Sequence, residues 1–362
     1  MKNIVDYAQE ELRTFDEMPF NDVDSLILSW LSYFRFPSCV LEVRSWSGVG
    51  LSSLFRAELF EGMFGHTYDP QGSRRLFTAV VASPRFRDVV ARGYVEEMDR
   101  GEQKQFSAVT FSFGDDFSYV AFRGTDGTLV GWKEDFNMAF QCPVPSQRSA
   151  LDYLSKASSH TNGRLFVGGH SKGGNLAVYA SAMSPGAVKD RIVRIYSHDG
   201  PGFLGTVLES GEFASVSGLV RKTVPQSSMI GMLLEQQEEY SIVESSRFSF
   251  WQHDPFSWVV DGDGFHPYTT ITPDARFFNR TLNEWVKSLS REQREMVVDT
   301  LYGLVDTDNA NTFADVKANI PTILQAASKL DDSTKQFLFE MLKELGRLSF
   351  KNVPELFRQG DR

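Results

Sequence analysis

Short apolar runs separated by turn residues occupy the middle of the chain, and their periodicity is that of β-strands. Three of these runs lie close together, and a tight-turn sequence, Gly114-Asp115-Asp116, joins the last two. This spacing predicts an antiparallel meander. The predicted strands of the meander are 87–98, 105–113 and 117–122.

Beyond the meander, strand-like and helical segments alternate. Strands are predicted at 164–169, 191–197 and 218–224, and helices at 147–157 and 172–183. This alternation indicates right-handed crossovers and a parallel sheet. The predicted fold class is therefore α/β, with a mostly parallel sheet that begins as an antiparallel meander.

Both ends of the chain have helical patterns. Near the start, 20–36 reads as a helix with Asn21 or Asp22 as its cap. After about residue 280 no strand pattern remains, so we expect a core at 1–280 and a helical extension at 281–362, either a cap on the core or a small domain. Predicted helices of the extension are 282–289, 291–305, 313–330 and 334–348, and the capping boxes Ser290-x-x-Gln293 and Ser333-x-x-Gln336 mark two helix starts.

The composition is that of a globular protein and excludes some classes. A net charge of -10 without a basic cluster argues against nucleic-acid binding. Cys39 and Cys142 stand far apart, so neither a disulfide framework nor a zinc site is expected. No apolar run reaches the roughly 20 residues that span a bilayer, and the polar N-terminus is unlike a signal peptide. We therefore expect a cytoplasmic protein without a metal or cofactor.

One stretch carries a chemical signature. Gly169-His170-Ser171-Lys172-Gly173 follows an apolar strand and precedes a small-residue helix. The pattern Gly-x-Ser-x-Gly in this strand–turn–helix setting is that of a nucleophile elbow, in which the turn lifts the serine hydroxyl above the sheet edge. A turn of glycine and serine is the plainer interpretation, but the context favours Ser171 as a nucleophile.

A serine nucleophile needs a base and an acid, which in α/β hydrolases follow it along the chain as acid and then histidine. His253 lies in an aromatic loop beyond the last predicted strand and is the preferred base. Asp199 ends the strand after the elbow helix and is the preferred acid, although a turn or cap role is as good an interpretation. Asp254 is the second candidate for the acid.

The tetrahedral intermediate also needs donors for its oxyanion. The backbone N–H of Lys172 follows the nucleophile directly and is one candidate. Thr125 is the other, because it lies in a glycine-containing turn at the end of the predicted strand 117–122. Alternatively, this turn only ends the strand and has no catalytic role.

Two motifs together resemble the class 3 lipases of the α/β-hydrolase fold. The sequence Phe-Arg-Gly-Thr-Asp at 122–126, followed by Gly-Trp-Lys-Glu-Asp at 131–135, is similar to that family's oxyanion turn, lid tryptophan and aspartate. The elbow at 169–177 is similar too. With Asp-Gly-Pro-Gly-Phe at 199–203 and Gln-His-Asp-Pro-Phe at 252–256, the chain resembles a bacterial lipase-like family of unassigned function.

The resemblance implies roles for particular residues and contains one departure. It implies Ser171 as nucleophile, Lys172 and Thr125 as oxyanion donors, and Trp132 as a lid aromatic that contacts substrate. Where class 3 lipases place their acid, this chain has Ser228, which cannot stabilise an imidazolium as a carboxylate does. Either Asp199 acts from one strand earlier or the triad is incomplete.

The sequence therefore predicts a serine hydrolase that cleaves a small-molecule carboxylic ester, lipase- or esterase-like, through an acyl-enzyme. The lysine at position 172 adds charge beside the nucleophile, which either favours acidic acyl groups or is solvated or paired. Two alternatives stay open. One is a weakly active or inactive scaffold that binds a partner, and the other is a thioesterase or peptidase.

Overall fold

The computed structural model describes residues 1–126, 134–135, 137–138, 140–234, 239–290 and 292–295. The chain divides into two compact units, Met1–Arg294 and Glu295–Arg362. Several predicted features lie outside the described residues: Trp132, the helices at 313–330 and 334–348, most of 291–305, and the capping box at Ser333.

In the described part of the chain, an eight-stranded sheet follows the order of the sequence from β1 to β8, and a two-stranded ribbon pairs β9 with β10. The pairs from β1 to β4 are antiparallel, and those from β4 to β8 are parallel. The strands are β1 Val49–Gly50, β2 Val90–Asp99, β3 Lys104–Phe113, β4 Phe117–Phe122, β5 Arg164–His170, β6 Ile192–His198, β7 Val220–Pro225, β8 Tyr240–Val243, β9 Val260–Asp261 and β10 Gly264–Phe265.

Helices connect the parallel strands from β4 to β7, and helices cover both faces of the sheet. Short 3-10 turns supplement them, among them Ser249–His253 and Pro255–Ser257 before β9. The α-helices in the described residues are α1 Ile4–Glu10, α2 Asp22–Leu31, α3 Ala57–Phe64, α4 Pro70–Ala82, α5 Pro145–His160, α6 Lys172–Met183, α7 Gly186–Lys189, α8 Gly205–Leu208, α9 Gly211–Ala214 and α10 Pro273–Ser288.

The predicted α/β class and the antiparallel meander are confirmed, and β4 and α6 have the predicted bounds. Asn21 caps α2, since its side chain accepts from the backbone N–H groups of Val23 and Asp24. Strand β8 and helix α1 had not been predicted.

Alternating side chains along each strand divide the apolar core into two layers. On β4, Tyr119 joins the cluster under the N-terminal helices, whereas Val120 joins the cluster under α5 and α6. On β5, Phe166 and Val167 divide in the same way. Because side chains alternate across a strand, both faces of the parallel strands are buried, and the carboxyl edge of the sheet is left to carry a site.

The end of the first unit carries a predicted cap. Ser290 and Gln293 form the expected box: the Gln293 side chain accepts from the Ser290 N–H at 2.7 Å, and the Ser290 Oγ accepts from the Gln293 N–H at 3.2 Å. The predicted domain boundary at residue 280 lies inside α10, and the first compact unit extends to Arg294. None of the helices in the described residues is long and apolar enough to cross a membrane.

Candidate active site

The turn between β5 and α6 holds Ser171 in a strained backbone conformation. Its φ is 59° and its ψ is -134°, which residues with a Cβ rarely adopt. Neighbouring glycines permit the close crossing of strand and helix: a Cβ at Gly173 would lie 2.1 Å from the carbonyl oxygen of Phe122, and one at Gly169 would lie 2.3 Å from the carbonyl carbon of Gly173. The serine therefore stands at the apex of a sharp strand-to-helix turn, as the elbow pattern predicts.

Asp199 follows β6 immediately and is fully buried. One carboxylate oxygen, Oδ2, lies 2.6 Å from Nδ1 of His253. The other, Oδ1, accepts a hydrogen bond from the Ser228 hydroxyl at 2.5 Å and one from the Gly231 N–H at 3.1 Å. The carboxylate is thus held in one orientation with an oxygen directed at the imidazole, which leaves Nε2 of His253 as the nitrogen available for proton transfer.

Ser228 has a role that the sequence did not reveal. It occupies the place where class 3 lipases would have their acid, and its hydroxyl donates to Asp199. The acid and the serine are therefore neighbours, with the carboxylate one strand earlier in the sheet. Ser228 therefore does not act as the acid; its hydroxyl group holds the carboxylate of Asp199, which does contact the histidine.

His170 fixes the loop that carries His253. Its Nε2 lies 2.9 Å from the His253 carbonyl oxygen, and the two rings pack with centroids 4.5 Å apart. Since a carbonyl only accepts, Nε2 of His170 carries the proton and Nδ1 accepts from the Tyr33 hydroxyl at 3.1 Å. Burial lowers the pKa of His170 well below 6.5, so the ring stays neutral.

The turn after β4 lies against the nucleophile. A Cβ at Gly124 would lie 2.1 Å from the Tyr33 hydroxyl oxygen and 3.0 Å from the Cβ of Ser171. The next residue, Thr125, donates its hydroxyl to Oδ2 of Asp135 at 2.5 Å. Lys172 is the first residue of α6, where a backbone N–H has no partner within the helix. Lys172 is therefore adjacent to Ser171 in the chain, and the glycine that precedes Thr125 packs against Ser171.

The side chain of Lys172 is directed into the protein interior and is 1% exposed. Its Nζ lies 3.0 Å from Oε2 of Glu134 and 3.0 Å from the carbonyl oxygen of Gln105. Glu134, also fully buried, accepts from the backbone N–H groups of Gln105 and Ser146. The charge is therefore paired, and the interpretation that it recruits acidic acyl groups is not supported.

Asp135 lies beside this ion pair and beside the oxyanion turn. Its Oδ1 is 3.8 Å from Nζ of Lys172 and, in the part of the chain that is described, has no hydrogen-bond partner. Burial raises the pKa of Asp135 to about 6, against the opposing charge of Lys172 and the hydrogen bond from Thr125.

The raised pKa of Asp135 predicts a pH-dependent stability effect. Because the folded state holds this proton more tightly than the unfolded state, ionisation destabilises the protein as the pH rises from about 4 to about 6. Asp135→Asn, which stays neutral, should raise the free energy of unfolding by up to about 3 kcal/mol at pH 8. Urea unfolding at several pH values measures this gain. A gain of equal size at pH 4.5 would contradict the assignment.

Asp254, the second candidate for the acid, has a structural role. Asp254 caps the 3-10 turn Pro255–Ser257 by accepting from the Phe256 N–H, and it pairs with Arg247 at 2.6 Å. His198 is buried behind the site with Nε2 2.9 Å from the Ser25 hydroxyl. Among the described residues, no group of three His, Cys, Asp or Glu side chains is arranged to hold a metal ion.

These elements define an α/β protein with a strained serine, a buried aspartate and a histidine gathered at the carboxyl edge of its parallel strands. The chain belongs to the Mbeg1-like family, whose model matches residues 80–303. No curated protein matches it.

The solved structures that match part of this chain include lipases, all at low identity. A deletion mutant of the Rhizomucor miehei lipase in its propeptide complex has 13% identity and a TM-score of 0.34; the match covers 47% of this chain and 58% of that one. The M37 lipase has 13% identity, a TM-score of 0.33, and coverage of 51% and 69%. The lipase of Rhizopus microsporus var. chinensis has 14% identity, a TM-score of 0.32, and coverage of 66% and 86%.

Proposed function

We propose that this protein is a serine hydrolase of the α/β-hydrolase fold that cleaves a carboxylic ester through an acyl-enzyme. The observation that carries the proposal is the 2.6 Å contact between Asp199 and His253. Asp199 follows β6, and the strained Ser171 follows the neighbouring strand β5. A buried, oriented carboxylate on Nδ1 is what an imidazole base needs to remain in the right tautomer and to become positively charged during the reaction.

The mechanism follows from these positions. The hydroxyl oxygen of Ser171 attacks the acyl carbon while Nε2 of His253 takes its proton, and Asp199 stabilises the resulting imidazolium. The backbone N–H groups of Lys172 and Thr125 stabilise the oxyanion. The imidazolium then protonates the leaving alcohol, and the acyl-enzyme forms. A water molecule, deprotonated by the same histidine, attacks the acyl-enzyme and releases the carboxylic acid.

The inactive-scaffold alternative depended on Ser228 standing in place of an acid. Asp199 supplies a carboxylate to His253 and is itself supported by Ser228, which favours the catalytic alternative. A small acyl ester with a lipid-like acyl group is our proposed substrate, and Trp132 our proposed lid contact. We also propose a cytoplasmic location and no nucleic-acid partner. A thioesterase or peptidase would use the same groups on a different acyl bond.

Labelling by a fluorophosphonate probe tests the proposal directly, since the probe reacts only with an activated serine. We expect the full-length protein to be labelled at a single peptide containing Ser171, and Ser171→Ala not to be labelled. Ser159→Ala, at an exposed position on α5, should be labelled like the wild type. Protein that folds but never reacts with the probe would refute the function.

A panel of p-nitrophenyl esters of increasing chain length, beside a thioester and a peptide substrate, then separates the reaction classes. We expect the oxygen esters to be cleaved with the largest kcat/KM. Preferential cleavage of the thioester or the peptide would replace the ester assignment while leaving the nucleophile intact.

Gly124→Ala should impair the reaction without unfolding the protein. The added methyl group would collide with the Tyr33 hydroxyl and press on Ser171, so the oxyanion turn must move away from the nucleophile. Because a displacement of about 1 Å in a catalytic group costs about 100-fold in rate, we expect kcat to fall by about that factor with little change in KM. Gly211→Ala, at the start of α9 with open space around its Cβ position, controls for the loss of a glycine. An unchanged kcat in Gly124→Ala would contradict the position of the turn.

A further inference from the structure

The side chain of Lys172 forms a buried charged contact that the proposed mechanism does not use. Its Nζ lies 3.0 Å from Oε2 of Glu134, 3.0 Å from the carbonyl oxygen of Gln105 and 3.8 Å from Oδ1 of Asp135. Both members of the ion pair are almost completely buried, since Lys172 is 1% exposed and Glu134 is 0% exposed. The mechanism requires only the backbone N–H of Lys172, so the ammonium group needs a separate explanation.

The carboxylate of Glu134 is held by the backbone of two other elements. Its Oε2 accepts from the N–H of Gln105 in β3 at 3.1 Å, and its Oε1 accepts from the N–H of Ser146 at 2.8 Å. Ser146 lies in the first turn of α5, where backbone N–H groups have no partner within the helix and favour a negative charge. Because main-chain groups fix both oxygens, the carboxylate is a rigid point of attachment for Lys172.

The next residue, Asp135, extends this contact to the other candidate oxyanion donor. Its Oδ2 accepts from the Thr125 hydroxyl at 2.5 Å, while its Oδ1 lies 3.8 Å from the Lys172 ammonium group. Residues 134 and 135 therefore contact the side chains of both candidate donors. Lys172 begins α6 and Thr125 follows β4, so this contact joins two separate elements of the site.

Net stability is a poor explanation for a buried ion pair. Taking two charges out of water is costly, and an apolar pair of similar volume is often equally stable or more so. Hydrogen bonds, unlike apolar contacts, fix both a distance and a direction. Oxyanion donors need such precision, because they act only within about 2.7–3.1 Å of the place where the negative charge develops. An ion pair at this place therefore suits a role in geometry.

We propose that the Lys172–Glu134 ion pair positions the oxyanion donors: it fixes the first turn of α6 relative to the turn that carries Thr125, and so sets the distance between their two backbone N–H groups. This inference rests on the proposed serine hydrolase and adds a requirement that the nucleophile, base and acid do not imply. The two charged groups are positioning groups, since they act through the backbone and not on the substrate.

A transition-state analogue measures the geometry of the oxyanion site directly. The probe is an alkyl trifluoromethyl ketone with an isotopically enriched carbonyl carbon, used with the full-length protein. The Ser171 oxygen adds to that carbon, the serine proton passes to His253, and the former carbonyl oxygen becomes an oxyanion. Carbon NMR of the adduct at several pH values gives the pKa of this oxygen. Well-placed donors lower that pKa, and displaced donors lower it less.

Lys172→Met/Glu134→Gln is the main variant, because it leaves neither charge of the pair without its partner. We expect kcat to fall about 100-fold with little change in KM, the effect of displacing a catalytic group by about 1 Å. The affinity for the ketone should fall by the same factor, and the pKa of the adduct oxygen should rise by about two. Glu134→Gln alone keeps the bond from Lys172 to the Gln105 carbonyl and should give a smaller change in the same direction.

Leu76→Ala is the control for lost stability. It removes apolar contacts from a fully buried position in α4, so it should destabilise the protein and leave kcat and the pKa of the adduct oxygen as in the wild type. Three results would overturn the proposal: the double variant keeps the wild-type kcat, it loses kcat while its adduct ionises at the wild-type pH, or Leu76→Ala changes the adduct pKa equally. A wild type that neither forms the adduct nor reacts with the fluorophosphonate probe would refute the serine hydrolase itself, so the two failures are distinguishable.

Discussion

Asp199→Asn is expected to lower kcat for ester hydrolysis by about 10⁴-fold while the protein stays folded. The amide is uncharged and cannot stabilise an imidazolium. It also presents an N–H group to Nδ1 of His253, which favours the tautomer that has its proton on Nε2 and so cannot take one from Ser171. Steady-state kinetics on the ester that the wild type cleaves best measures this loss, and circular dichroism checks the fold.

Asp254→Asn provides the matched control, because it removes a charge directly beside His253 in the sequence. Asp254 caps a turn and pairs with Arg247, so its variant should keep kcat within about tenfold, the effect of a modest displacement of the loop. If Asp254→Asn lost activity and Asp199→Asn kept it, the acid would be assigned wrongly.

Lys172→Met is expected to destabilise the protein by about 3–5 kcal/mol, because it leaves Glu134 charged and fully buried without its partner. The methionine side chain has a similar length, so the loss is chiefly electrostatic. Equilibrium unfolding in urea measures the difference in the free energy of unfolding. A loss of this size is much larger than the change of about 0.5 kcal/mol that a substitution on the protein surface usually causes.

The double variant Lys172→Met/Glu134→Gln distinguishes a broken ion pair from a packing defect. It removes the uncompensated carboxylate and keeps an acceptor for one of the two backbone N–H groups that Glu134 binds. We expect the double variant to regain part of the lost stability. A double variant as unstable as Lys172→Met, or more so, would show that the buried charge is not the cause.

The sheet was predictable where local pattern and tertiary environment agree. Strand β4 is buried throughout and has turn residues on both sides, and its bounds are those predicted. Strand β8 has only four residues, of which two are exposed, so it lacks the apolar run by which buried strands are recognised. Helix α10 begins at Pro273, nine residues before the predicted start at 282. Its first turns were missed because exposed polar residues dominate the sequence there and hide the apolar periodicity.

Some residues of the candidate site could also be predicted from the sequence, whereas the contacts between them could not. Ser171 and Asp199 were predictable because each directly follows a strand of the parallel sheet, and the order of the strands fixes which edge they share. The pairing of Lys172 with Glu134 joins residues 38 positions apart, and no local pattern specifies a contact of that kind. Ser228 was identified by position, but its hydrogen bond to Asp199 depends on the packing of two loops.

Ser171 and Asp199 differ from His253 in how firmly the backbone holds them. They follow His170 and His198, which are paired across β5 and β6, and the Ser171 N–H donates to the His198 carbonyl oxygen at 2.9 Å. His253 ends a five-residue 3-10 turn. Central ladders open only near global unfolding, whereas such turns open at far lower free energy. Warming should therefore detach the base first, so that activity disappears reversibly at temperatures where the sheet is still intact.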